Sequence, residues 1–219
     1  MRIDPLGESA MVVEFGTEIS PELNDLAIAL AHDLRADPFP GFREAIPCFA
    51  SVGVYFDPLA LRLKKENIHA RVRSEIEVRI EHLSVEASLE SRLIEVPGEF
   101  SDSVGPDLPE ICETLHLTKV EFTNAFCGRE YRVYMLGFLP GFAYMGELDP
   151  AIAFPRLSTP RLRVPKGSVG IAGRQTGIYP AESPGGWRLI GRTDLELFDA
   201  SRDAPSLFRP GDRVRFVAI

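Results

Sequence analysis

The sequence predicts a two-part fold: a small α+β domain of ferredoxin-like type over residues 1–88, then a mainly-β barrel or sandwich over residues 92–219. Three observations predict it. Strand-like and helix-like periodicities alternate through the first part of the chain. A polar stretch from Glu86 to Ser91 marks a boundary. Beyond Phe138, Gly and Pro interrupt the chain every few residues and leave only short β-like pieces between them.

In chain order, Ser9 to Phe15 reads as a strand. Ser20-Pro21 then opens a helix, with serine as N-cap and proline at the first helical position. Leu23, Leu26, Ala27, Leu30 and Leu34 recur on one face of it. Ala45 to Phe56 is rich in β-branched and aromatic residues and reads as one or two strands. Asp57-Pro58 repeats the cap-then-proline signal and predicts a second helix reaching Ile76, with a returning strand over Val78 to Val85. Leu93 to Val96 reads as a strand, Asp107 to Leu115 as a short amphipathic helix, and Thr118-x-x-Glu121 as a capping box. Tyr131 to Phe138 is an apolar strand. The short pieces that follow are Val169–Ala172, Trp187–Ile190, Glu196–Phe198 and Arg213–Val217.

Composition narrows the function classes. The 219 residues carry a net charge of −8, which argues against general nucleic-acid binding. No run approaches the ~18–20 consecutive apolar residues of a membrane span. Asp4 and Pro5 stand where a signal peptide would carry its apolar region, so the expectation is a cytoplasmic chain. Cys48, Cys112 and Cys127 are scattered, odd in number and free of any C-x-x-C pair, which points to buried free thiols. His32, His69, His82 and His116 form no metal-ligand spacing, so no metal site is expected.

The charge is unevenly spread. From Pro150 to Arg192 there are 7 basic residues against 1 acidic, a cationic island in an acidic chain. Arg156, Arg161, Arg163 and Lys166 fall within it, interleaved with prolines that stiffen the backbone. Guanidinium groups suit two-point capture of a carboxylate or phosphate, but on the residues alone pairing with the acidic remainder of the chain, or facing a partner, is slightly the better explanation. Ahead of the island, Gly137-Phe-Leu-Pro-Gly141 follows a strand but precedes no helix and no Gly-Lys-Ser/Thr, which excludes a Walker loop and a Rossmann turn. Within it, Ser168, Gln175, Thr176 and Tyr179 offer uncharged hydrogen-bonding groups between glycines. With no histidine after His116, a Ser-His-Asp triad inside the segment is excluded. Ser183-Pro-Gly-Gly-Trp187 carries the only tryptophan, either a core aromatic or a pocket wall.

The run GFLPGFAYMG, then PR, PR-x-RVPKGSVGIAG, QTGIYP and SPGGW-x-LIGRT, resembles the family of allophanate hydrolase subunit one, KipI and the B-type subunit of 5-oxoprolinase. Pro5–Gly16, Ile94–Pro97, Gly105–Leu108 and Arg209–Phe216 extend the resemblance over essentially the whole chain. Two places depart from the family pattern. Glu99-Phe100-Ser101-Asp102 stands where a Tyr-Gly-Gly is usual, and Phe126 where a histidine is usual.

The resemblance implies an N-terminal α+β domain followed by a cyclophilin-like β-barrel. It implies a component that does not work alone, closest to the B-type subunit of 5-oxoprolinase, which helps convert 5-oxo-L-proline to L-glutamate. The implied partners are the carboxyltransferase-like C-type subunit and the A-type subunit of 5-oxoprolinase, with ATP consumed at the level of the complex. Substrate-binding positions are expected at Arg156, Arg161, Arg163, Lys166, Ser168, Gln175, Thr176, Tyr179, Ser183, Trp187 and Arg192, with no catalytic residue assigned; eight of them, Arg156, Arg161, Arg163, Lys166, Gln175, Thr176, Tyr179 and Trp187, are expected to line one pocket on the barrel that favours a small anion. Two alternatives accompany this reading. One is a KipI-like inhibitor of a sensor histidine kinase. The other is the carboxyltransferase half of a urea carboxylase or allophanate hydrolase system, which would need a separate biotin carrier because no Met-Lys-Met tripeptide occurs.

Overall fold

The computed structural model describes residues 1–61, 65–84 and 91–219, with the backbone alone at 65–67. The chain divides into two compact units, Met1–Glu90 and Ser91–Ile219. The polar boundary read at Glu86–Ser91 lies, up to Glu90, outside the described residues.

The first unit is a four-stranded antiparallel sheet with two helices. Its strands are β1 (Arg2–Pro5), β2 (Ala10–Glu14), β3 (Phe42–Cys48) and β4 (Ser51–Phe56), in the order β1-β2-β4-β3. Helix α1 (Pro21–Ala36) begins where the cap signal places it, with the Ser20 hydroxyl accepting from Leu23 N at 3.1 Å. Ala27, Leu30, Ala31 and Leu34 are fully buried, the i, i+3, i+4, i+7 stripe of an amphipathic helix. Burying a leucine of this kind contributes ~1.5–3 kcal/mol.

Helix α2 (Lys65–Glu81) departs from the sequence expectation at both ends. Asp57 Oδ1 accepts from Leu59 N at 3.0 Å and closes a turn there, not a helix. At the other end, of the strand expected over Val78 to Val85, Val78–Glu81 is helix, and Val85 lies outside the described residues. Ile68, Val72 and Ile76 form a buried stripe that Ile80 continues, so the helical period overrides local β propensity. The last turn is held by Arg79, which faces Asp33, Asp37 and Glu75. A ferredoxin-like unit needs a strand after its second helix. Here the sheet edge beside β2 is taken by β1 from the N-terminus.

The second unit is mainly β. Its seven-stranded sheet runs β12-β9-β10-β7-β6-β13-β5. In chain order these are β5 (Leu93–Gly98), β6 (Glu130–Leu136), β7 (Ala143–Gly146), β9 (Ser168–Ala172), β10 (Gln175–Ile178), β12 (Arg188–Arg192) and β13 (Arg213–Ala218). A two-stranded ribbon joins β8 (Arg161–Val164) to β11 (Ser183–Gly185). All pairs are antiparallel except β13 with β5. The sheet curls until its two edges meet: Glu99 N donates to Arg192 O at 2.8 Å and Arg192 N to Glu99 O at 2.9 Å. Such closure hides backbone groups that an open edge would expose.

Helices α3 (Leu108–Leu115) and α4 (Lys119–Cys127) pack on this sheet. The capping box of α4 forms as read, with Glu121 N donating to the Thr118 hydroxyl at 3.2 Å and Thr118 N to Glu121 Oε2 at 2.7 Å. The strand expected at Glu196–Phe198 is absent. That segment is a loop whose Leu197 O accepts from Leu207 N at 2.9 Å, with one bridge between Phe198 and Ser206. Phe126, at one of the two family departures, is fully buried and packs on Phe100, from the other, with ring centroids 5.5 Å apart.

Candidate functional site

A concave site lies on the second unit, built from four chain segments. The turn after β6 carries Phe138 and Phe142; it is closed by Phe142 N donating to Leu139 O at 3.0 Å and Gly137 N to Phe142 O at 3.1 Å. Strand β7 adds Tyr144, the end of β10 leads to Tyr179, and β11 leads through Gly186 to Trp187. With Arg156 and Pro160 these residues line a cavity of about 190 Å³. That is below the ~300–1,000 Å³ of most ligand pockets, so the cavity itself encloses only a small compound.

The walls are aromatic and mutually braced. Phe142 sits edge-on to Tyr144 (4.9 Å between centroids), Tyr179 (5.3 Å) and Trp187 (5.5 Å). Phe138 stands over the rim, 59% exposed, and meets Phe142 edge-on at 5.5 Å. Such edge-to-face pairs are worth ~0.5–1.5 kcal/mol beyond their burial. The floor requires side-chain-free backbone at Gly185, where a Cβ would overlap the Tyr179 hydroxyl, while a Cβ on Gly186 would make only ordinary contact with Arg156 Nη2 at 3.4 Å. Burial pushes the Tyr179 hydroxyl's pKa up, while the Trp187 backbone N–H and the charges of Arg156 and Arg161 pull it the other way.

The cationic island is largely consumed by the fold. Arg161 Nη2 donates to Asp107 Oδ1 at 2.7 Å, and Arg188 Nη1 to Glu110 Oε2 at 2.6 Å. Arg163 pairs with Glu182 at 2.5 Å and is 77% exposed. Lys166 pairs with Glu196 at 2.9 Å, Arg174 with Glu147 at 2.6 Å, and Arg192 with Asp194 at 3.6 Å. Arg156 alone in the island has no hydrogen-bond or ion-pair partner among the described residues.

The structure therefore brings Arg156, Tyr179 and Trp187 together and not the whole set read from the sequence. Arg161 lies beside the pocket, held by Asp107. Arg163 and Lys166 point to surface carboxylates. Ser168 and Thr176 are buried in the sheet, with the Thr176 hydroxyl donating to Gly170 O at 3.0 Å. Gln175 pairs in β10 with Ala172 and Gly146. Ser183 is 9% exposed, with its hydroxyl unpartnered among the described residues. Arg192 lines a different cavity, with Glu99, Thr193 and Asp194. A single pocket for the eight residues expected to share one is corrected by this placement, since only Arg156, Tyr179 and Trp187 of them line it: strand alternation sends neighbouring side chains to opposite faces.

Sequence reasoning missed Phe138, Phe142 and Tyr144 as walls and Asp107 as the anchor of Arg161. The aromatic spacing in Gly137–Gly146 was the available signal for the first three. Asp107 lies 54 residues from its arginine and carries no local mark. Among the described residues, no group of three or more His, Cys, Asp or Glu side chains is arranged to hold a metal ion, and no helix is long and apolar enough to cross a membrane.

The chain is similar to known proteins. The family model for the carboxyltransferase domain, subdomain C and D, matches residues 1–208. The chain belongs to that family. As a carboxyltransferase C/D protein it is 41% identical to the B-type subunit of 5-oxoprolinase from Bacillus subtilis over 100% of this chain and 92% of that relative. It is 40% identical to the protein of the same name from Escherichia coli O157:H7 over 97% of this chain and 93% of the relative. Among solved structures, TTHA0988 matches with a TM-score of 0.82 and 37% identity over 96% of this chain, which spans 40% of that longer chain. Kluyveromyces lactis urea amidolyase matches at a TM-score of 0.77 and 22% identity over 99% of this chain and 15% of that one, a likeness of fold alone.

Proposed function

We propose that this carboxyltransferase C/D protein is the B-type subunit of an ATP-dependent 5-oxoprolinase, acting in the cytoplasm with a carboxyltransferase-like C-type partner and an A-type partner. The observation that carries this is full-length identity of 41% and 40% to two proteins of that name, covering more than nine-tenths of each. The finer fold reading belongs to the same proposal: a ferredoxin-like variant first, then a cyclophilin-like barrel.

In this reading the 5-oxoproline ring enters the aromatic pocket of the second unit. ATP transfers its terminal phosphoryl group to the lactam oxygen and leaves as ADP. Water adds to the activated carbon, the C–N bond breaks to give γ-glutamyl phosphate, and a second water cleaves that acyl phosphate to glutamate and phosphate. Phosphoryl transfer of this kind is governed by positioning and charge stabilisation. The pocket is too small to enclose ATP, so the nucleotide is held elsewhere in the complex. This chain's own residues bind and orient: the rings exclude water from the substrate's apolar edge, and the Tyr179 hydroxyl and Arg156 supply polar contacts.

The test is reconstitution. ATP hydrolysis that depends on 5-oxoproline appears when this chain is mixed with its C-type and A-type partners. Substitution of Trp187 by alanine lowers it at least tenfold by removing one wall. A fully assembled complex that hydrolyses no 5-oxoproline overturns the reading.

A further inference from the structure

We infer that Arg156 reads the carboxylate of the ligand and makes the aromatic pocket selective for small, net-anionic ring compounds. This deepens the reading above and rests on it for the identity of the natural ligand, not for the existence of the selectivity.

The observations are local. Seven basic residues lie between Pro150 and Arg192, and the other six each sit near a carboxylate of this chain. Arg156 is the exception among the described residues, and it is the one cation lining the cavity. Its guanidinium runs beside the backbone of Gly186 at the pocket wall, with Nη2 3.4 Å from where a Cβ would stand. A planar guanidinium free on one edge matches a carboxylate at two points. Arg161 adds positive field from the side: Asp107 takes its Nη2, while its Nη1 is buried without a partner among the described residues, and its side chain does not line the cavity. Asp107 in turn accepts from Leu189 N at 2.6 Å, so that carboxylate is not available to swing toward Arg156.

The rest of the pocket specifies the body of the ligand. Phe138, Phe142, Tyr144, Tyr179 and Trp187 present ring faces and edges around a space of about 190 Å³, which admits one small ring. Among the described residues, no carboxylate lines the cavity to receive an ammonium group. A lactam acid, whose ring nitrogen is neutral, is therefore accepted. Proline, whose ring nitrogen is charged, is disfavoured by the neighbouring arginines.

Trp187 is the only tryptophan and lines the pocket, so its fluorescence reports occupancy directly. The full-length chain, alone and in the assembled complex, is titrated with 5-oxoproline, with 2-pyrrolidinone, which lacks the carboxylate, and with proline. The expected order is 5-oxoproline tightest, with each of the others at least tenfold weaker. Arg156→Ala loses at least tenfold for 5-oxoproline and almost nothing for 2-pyrrolidinone. Arg156→Lys recovers part of the loss. Arg174→Ala, which removes a cation already paired with Glu147, binds like the parent. The inference is overturned by equal binding of 5-oxoproline and 2-pyrrolidinone to the parent, by an Arg156→Ala variant with unchanged selectivity, or by no ligand response at Trp187 in either setting. Should Arg156→Ala fail to fold, the selectivity of the parent and the lysine variant still decide. A complex without oxoprolinase activity whose pocket nonetheless prefers ring carboxylates overturns the proposed function and leaves this inference standing.

Discussion

Asp107 joins β12, the ribbon strand β8 and the start of α3 at the scale of one residue. Its side chain is 6% exposed, and its oxygens serve Arg161 and the backbone of Leu189, with Arg188 3.7 Å away. Removing one member of a buried pair leaves the other without its counter-charge, which costs ~3–5 kcal/mol. Asp107→Ala is expected to lose that much in urea unfolding followed by Trp187 fluorescence. Asp107→Asn keeps an acceptor for Leu189 and loses less. Cys127 gives a second expectation. Burial pushes its thiol up to about 11, and the thiolate is the reactive form. Native protein near pH 8 should therefore react with iodoacetamide far more slowly at Cys127 than unfolded protein does. The sign for stability follows: the folded thiol holds its proton longer than the unfolded one. Its contribution is intact below the ordinary thiol range and falls as pH rises through it toward about 11.

Elements with local signals were legible in the sequence, and those without were not. The Ser20-Pro21 and Thr118-Glu121 caps start α1 and α4 because capping is satisfied within one turn of chain. The same signal at Asp57-Pro58 closed only a turn. Strands β1, β7, β8, β10 and β11 span three or four residues each, too few for a period to emerge. One turn is expected to be critical. Gly167 has φ +82°, and a Cβ there would overlap the carbonyl oxygen of Thr193. Its N–H donates to Tyr179 O at 2.8 Å and its carbonyl accepts from Thr193 N at 2.9 Å, so it pins the pocket tyrosine to the end of β12. A left-handed conformation costs an L-residue ~1–2 kcal/mol before any overlap is relieved. Gly167→Ala should therefore destabilise by more than ~2 kcal/mol and blunt the fluorescence response of Trp187, both readable in one titration.

At the scale of the whole molecule, the order of the sheet and its closure were not legible. They depend on pairings such as Glu99 with Arg192, far apart in sequence. The cationic island was legible as charge, but its partners Asp107, Glu147 and Glu196 lie outside the island, so the one arginine left over emerged only from the fold. Each unit has its own apolar cluster, which predicts that a chain beginning at Ser91 folds alone and keeps the fluorescence spectrum of Trp187. A molten, dye-binding product from that truncation would contradict it. The central claim, that this chain completes a 5-oxoprolinase and does not act by itself, is tested most directly by ATP hydrolysis measured with and without 5-oxoproline. The chain is assayed alone, its C-type and A-type partners together, and then all three. Hydrolysis that depends on 5-oxoproline is expected only when all three are present; turnover by this chain alone, or by the partners without it, would contradict the claim.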